Sequence, residues 1–326
     1  MPPRMIWIVG LCIALIGLAV FAWWLTRAPR VTSDAVAAAY ARPLGPPEGP
    51  LRVFHLGHSL VGRDMPAMLA QLADAGIETG IEAGHRYDVQ LGWGTSLREH
   101  WEPDLAINGF DTENAHARYR DAHEAIRSGD YDAIVLTEMV EIRDAIKYHH
   151  SGKYLAKWAN EAREGRQDVR IYLYESWPHL DDPEGWLTRL DADLSRYWED
   201  EILLRDLAIN APEQPVRVIP AGQVMARLVR RIEALGGLDG VQGREDFFRR
   251  NDDGSLDQLH VNDLGAYVVA LTHYAVLYQR APMGLPRQLR RADGTQADAP
   301  GAALAALMQQ TVWDVVTNYA KTGIAP

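Results

Sequence analysis

Apolar and polar positions along this chain form two alternating patterns: short apolar runs and longer segments with helical spacing. Apolar runs at 51–56, 87–91, 131–136, 169–174 and 216–219 predict five strands. The run at 131–136, YDAIVL, is continuous enough for a strand buried on both faces. Helical spacing predicts helices over 64–75, 115–127, 154–164, 186–209, 223–235, 262–278 and 302–319. In the first of these, Asp64 stands at the N-cap and Pro66 in the first turn. Met68, Leu69 and Leu72 share one face, and Gly76 ends the helix. The stretch 236–257 reads as loop. This alternation predicts an α/β domain over 51–326, with a mostly parallel sheet covered by helices on both faces.

Two segments precede that domain. Residues 5–25 carry no charge and are long enough to cross a hydrocarbon core of roughly 30 Å. Arg4 lies before the run, Arg27 and Arg30 after it, and Trp23-Trp24 near one end. The pattern predicts an N-terminal transmembrane helix, with residues 1–27 as a membrane anchor. A cleaved signal peptide is the rival reading. Ala35-Val36-Ala37 offers a cleavage site, but it lies well past an apolar run that is itself long for a signal. Residues 28–50, rich in Pro, Gly and Ala, read as a linker.

Composition narrows the chemistry. A formal net charge of −11 over 326 residues argues against a nucleic-acid partner, which needs a basic face. Cys12 is the only cysteine and lies in the apolar run, so no disulfide framework, Cys-rich metal site or thiol nucleophile is expected in the domain. His149-His150 is the most tempting metal pair, but adjacent side chains on a helix or strand point apart, and it reads as surface. No metal and no cofactor are predicted.

The remaining chemistry concentrates in two short motifs. Gly57-His58-Ser59-Leu60 follows the first predicted strand, where sites form in open α/β sheets. Gly57 permits a tight turn there. Asp257-Gln258-Leu259-His260 precedes the helix at 262–278. A serine hydroxyl needs an adjacent base to become a nucleophile. His260 supplies one, and Asp257 can fix the tautomer and orientation of its ring. Each motif alone is common; their placement at the two ends of one α/β pattern is what points to a serine hydrolase.

On these residues the chain resembles the SGNH, or GDSL-like, hydrolase superfamily. The nucleophile motif has His58 where an acid usually stands. The Asp257–His260 block, followed by Asn262 and Gly265-Ala266-Tyr267, is similar to the family's C-terminal block. The resemblance implies a flavodoxin-like three-layer α/β/α fold and a Ser59–His260–Asp257 triad. It also implies an oxyanion hole that includes the Ser59 amide and a glycine amide, best matched by Gly94 with Gly92 as rival. The family's third donor, an Asn, is missing; Thr137-Glu138 stands there, and the Thr137 hydroxyl is the expected substitute. His58, Trp93, Glu138, Glu175 and Trp177 are expected substrate contacts, with His100 and His179 near the site and His55 packed along the first strand. Among ten tryptophans, Trp93, Trp101, Trp177 and Trp186 flank the predicted site loops, where aromatic faces can carry a sugar ring.

The expected function is a membrane-anchored esterase acting on an O-acyl, notably O-acetyl, ester of an envelope or exported polysaccharide. Its domain is expected on the periplasmic side of an inner membrane. Acyl transfer to a glycan by the same triad is the alternative. A catalytically silent glycan-binding scaffold, motivated by Thr137-Glu138, comes third, and a metal-dependent hydrolase last.

Overall fold

The computed structural model describes residues 30–76 and 84–325. The expected anchor at 1–27 lies outside the described residues. Among those described, no helix is long and apolar enough to cross a membrane.

Five strands build the central sheet: β1 Arg52–His58, β2 Arg86–Gly92, β3 Ala133–Thr137, β4 Arg170–Glu175 and β5 Arg217–Pro220, in the order β2-β1-β3-β4-β5. Every neighbouring pair is parallel. Parallel strands need crossovers that cover both faces, so alternate residues of one strand enter two different cores. Val53, Ala133, Val135, Tyr172, Tyr174 and Ile219 pack into one core, with helices Asp64–Gly76, Ala221–Leu235, Asp263–Tyr278 and Ala302–Thr317. Phe54, Leu56, Ile134, Leu136, Ile171 and Leu173 pack into the other, which includes helices Ala122–Arg127 and Ser151–Gly165. The result is the expected three-layer α/β/α architecture, consistent with a flavodoxin-like fold.

Three local readings change. The stretch expected as loop before Asp257 contains an antiparallel hairpin, β6 Phe248–Arg250 with β7 Leu256–Val261, so the Asp257–His260 motif rides on a strand. The helix expected over 115–127 is confined to Ala122–Arg127, with Asp121 capping it through the Glu124 amide. The helix expected over 186–209 is helical from Trp186 to Asn210, but with a wide-turned, π-type segment at Leu194–Leu203.

The described part of the expected linker, residues 30–50, is more than a spacer. Thr32 caps a short helix, Ser33–Tyr40, and buried Tyr40 donates its hydroxyl to the Val216 carbonyl at 2.9 Å. The Leu44 amide donates to the Gly323 carbonyl. The segment is thus laid against the end of the sheet opposite Ser59, because Tyr40 has apolar surface to bury.

Candidate active site

The chain turns from β1 to β2 on one side and then to β3 on the other, which opens a crevice at the carboxyl ends of β1 and β3. Ser59 is the first residue past β1. The turn is closed by the Val61 and Gly62 amides, both donating to the His58 carbonyl. Gly57 allows it: a Cβ there would overlap Thr137 Cγ2 on neighbouring β3 and press on Val61 Cγ2 at 3.0 Å. Thr137 is fully buried and cannot yield. Gly57→Ala is therefore expected to lower stability by about 1–3 kcal/mol through overpacking. A urea midpoint equal to that of wild type would show that the strand end accommodates the methyl group.

Two buried histidines fix the end of β1. His100 Nε2 lies 2.8 Å from the Gly57 carbonyl, which can only accept, so Nε2 carries the proton. Nδ1 then accepts from Gln90 Nε2, and Gln90 Oε1 accepts from the Ala122 amide. His58 donates from Nε2 to the Glu138 carbonyl at 2.8 Å, and its Nδ1 accepts a longer bond from the Leu60 amide. Burial pushes both imidazoles down to about 4. Each ring is thereby held neutral in one tautomer, tying β1 to β2 and to the loop after β3.

The hairpin brings the imidazole to the serine. His260 Nε2 lies 2.9 Å from Ser59 Oγ, and His260 Nδ1 lies 2.9 Å from Asp257 Oδ2. Asp257 Oδ1 accepts from the Leu259 and His260 amides, at 2.8 and 2.9 Å. Burial pushes the Asp257 carboxyl up, but the His260 and Leu259 amides and the imidazole outweigh it and hold it below the usual range. The ionised carboxylate accepts only, so His260 carries its proton on Nδ1 and turns a bare Nε2 to the hydroxyl. Behind the strand, Trp177 Nε1 donates to the Leu259 carbonyl and the Leu180 amide to the Gln258 carbonyl. Asn262 then caps the next helix through the Leu264 and Gly265 amides.

Ser59, Asp257 and His260 open onto a cleft of about 1050 Å³. Gly94, in a left-handed conformation at φ +57°, lines it too. Gly92 does not: it ends β2, and a Cβ there would meet Thr95 and Ile107 side chains. Trp93 stands at the rim, 49% exposed, with its Nε1 donating to Glu113 at 2.7 Å.

Several expected contacts are placed elsewhere. The Thr137 hydroxyl is fully buried and donates to the Tyr174 carbonyl at 2.8 Å, so it is spent on β4 and is not an oxyanion donor. Glu138 is fully buried and accepts from the Leu97 and Met139 amides; burial raises it to about 7. Glu175 is buried under Gln223, which bonds it through side chain and amide, and burial raises it to about 8. Neither carboxyl lines the cleft that holds Ser59. Trp177 is buried against Phe248 and supports the hairpin instead. His58 borders the cleft, but both its nitrogens are used internally. His100 is a buried strut, not a pocket wall. Trp101 packs edge-on against Trp158, and Trp186 against Phe248. His55 is packed, as expected, at 0% exposure.

Sequence reasoning missed four arginines on the cleft: Arg63, Arg118, Arg249 and Arg291. They come from four separate segments, two of them read as helix or loop, and no periodicity connects them. Among the described residues no cluster of His, Cys, Asp and Glu is arranged to hold a metal ion. A second serine–imidazole contact, Ser96 Oγ to His149 Nδ1 at 2.8 Å, does not form a comparable relay. Ser96 is fully buried, caps helix Leu97–Trp101, and gives its hydroxyl proton to Glu99.

No protein-family model matches the chain, and no curated protein does either. Among solved structures it is similar to a carbohydrate esterase family 3 protein from Talaromyces cellulolyticus, with a TM-score of 0.31 at 16% identity, over 70% of this chain and 97% of that one. It is also similar to a DUF4886 family protein from Bacteroides uniformis, with a TM-score of 0.53 at 13% identity, over 82% of this chain and 95% of that one. What this chain shares with the Bacteroides uniformis protein, across nearly the whole of that protein, is its fold.

Proposed function

We propose that the protein is a serine esterase of the SGNH type that hydrolyses an O-acyl ester, notably an O-acetyl group, on a carbohydrate. The observation that carries this reading is the unbroken relay Ser59 Oγ–His260–Asp257, both links at 2.9 Å, at the mouth of a cleft large enough for sugar rings. His260 Nε2 removes the Ser59 proton as Oγ attacks the acyl carbonyl. The Ser59 and Gly94 amides face the oxygen that becomes negative, where preorganised donors act most strongly. The imidazolium, held by Asp257, protonates the sugar oxygen as its bond to the acyl carbon breaks, which leaves the sugar hydroxyl free and the acyl group on Ser59. Water, deprotonated by His260, then releases the acyl group and restores the serine. The exposed face of Trp93 offers a platform for a ring beside the reacting group. With residues 1–27 read as an anchor, the enzyme works at a membrane, on an envelope or exported polysaccharide.

Labelling with a fluorophosphonate probe tests the chemistry without knowledge of the substrate. A stoichiometric adduct is expected, located on Ser59 by intact-mass and peptide mapping, and nearly absent in His260→Ala. Folded protein that takes no probe would overturn the esterase reading.

A further inference from the structure

Four guanidiniums line the cleft of a chain whose formal charge is −11, and two of them are already satisfied. Arg291 is clamped by both oxygens of Asp263. Arg63 reaches the Thr112 carbonyl and lies 3.7 Å from Glu113. The other two have no carboxylate partner among the described residues. Arg249, on β6, donates Nε to the Val261 carbonyl at 2.8 Å and keeps both terminal amino groups uncommitted. It also walls a smaller cavity together with Ser59 and His260. Arg118, in the segment that leads into helix Ala122–Arg127, lies over the Tyr87 ring at 4.9 Å from its centroid.

Among the described residues, none of the cleft's own carboxylates forms an ion pair with Arg118 or Arg249; each is engaged elsewhere. Asp64 accepts from the Ala292 amide, Glu113 from Trp93, Asp257 from His260, and Asp293 from Thr295. A guanidinium presents a planar fork that fits a carboxylate or phosphate with two parallel bonds. Arg249 is tethered by a hydrogen bond and Arg118 by its ring, so less side-chain freedom is lost when an anion binds.

We propose that the substrate is a negatively charged glycan ester, and that Arg118 and Arg249 select it by binding carboxylate or phosphate groups along the polymer. The inference rests on the esterase reading for the reaction, but not for binding. In turnover, full-length protein is given O-acetylated polygalacturonate or O-acetylated xylan. The charged polymer is expected to show about tenfold higher kcat/KM at low salt, a preference that shrinks as ionic strength rises. The Arg118→Gln/Arg249→Gln double variant should lose that preference through KM. The Arg118→Lys/Arg249→Lys variant should keep part of it, because charge survives without the fork. Equal turnover of both polymers, or an unchanged preference in the glutamine variant, would overturn the proposal.

Binding by the Ser59→Ala protein gives an independent arm. De-esterified polygalacturonate, a phosphodiester-linked teichoic acid and neutral xylan are compared by calorimetry. Retention of a charged polymer that disappears with the glutamine substitutions supports the inference even if no ester is ever cleaved. Whichever charged polymer binds tighter assigns the anion as carboxylate or phosphate. Failure to bind either sinks the proposal and leaves the esterase reading to its own test.

Discussion

Ser59→Ala and His260→Ala are each expected to lower kcat on an acyl ester by roughly 10⁴- to 10⁶-fold, and the double variant by no more than either alone. Nucleophile and base act as a unit, so removing the second partner takes away nothing that remains after the first. The oxyanion loop places the expectation near the lower end of that range. Thr137 spends its hydroxyl on Tyr174, which leaves the Ser59 and Gly94 amides as the proposed donors. A missing donor typically lowers kcat by about 10²–10³. A wild-type enzyme already slowed in this way has less rate to lose before it meets the uncatalysed background. Asp257→Asn should fall almost as far, by roughly 10⁴-fold, because an amide nitrogen facing Nδ1 stabilises the wrong imidazole tautomer. Single-turnover rates on 4-nitrophenyl acetate would read these losses. A double variant markedly slower than both single variants would show that the two residues do not share one step.

The parts of this site that sequence reasoning reached are those carried by short-range patterns. Ser59 is marked by its glycine and by the apolar run before it. His260 is marked by Asp257 three residues earlier and a helix soon after. Both signals are local, and the parallel sheet turns them into a 2.9 Å contact across two hundred residues of chain. Glu138, Glu175 and Trp177 illustrate what locality cannot give. Each follows a strand end, where substrate contacts gather, yet each is folded inward because a distant residue covers it: Leu97 over Glu138, Gln223 over Glu175, Leu259 over Trp177. Burial of a polar group is decided by what packs on it, and nothing in the surrounding ten residues records that. The hairpin at Phe248–Val261 was hidden for another reason. Its strand β7 carries the Asp257–His260 motif, is only half-buried throughout, and so lacks a clean apolar alternation.

Thermal stability is expected to fall steeply between pH 6.5 and 5, well above the range where surface carboxylates titrate. Five histidines are buried and held neutral. Burial lowers His58, His85, His100 and His273 to about 4, and His55 well below 6.5. Their folded values lie under the unfolded one, so the unfolded chain takes up protons first and stability is lost as pH falls through 6.5. Glu138 and Glu175 act in the opposite sense. Raised to about 7 and about 8, they hold protons in the fold that the unfolded chain releases, so their contribution is present at low pH and lost as pH rises through those values. Counted alone, these five imidazoles and two carboxyls leave the unfolded chain about three protons richer near pH 5.5; His123, raised by its Glu161 hydrogen bond, and Asp193, raised by burial, oppose them. At about 1.4 kcal/mol per proton per pH unit, about three protons correspond to a slope of about 4 kcal/mol per pH unit, a large share of the 5–15 kcal/mol typical of a folded domain. His55 tests the origin of the slope. Among the described residues neither of its ring nitrogens has a partner, and its ring sits 5.9 Å from that of His273, so a phenylalanine there removes a proton site without breaking a hydrogen bond. His55→Phe should flatten the pH dependence by about a third. Melting curves at pH 7.5, 6.5, 5.5 and 5 would read both effects, and a Tm that stays level to pH 5 would mean that these imidazoles find protons, or water, inside the fold.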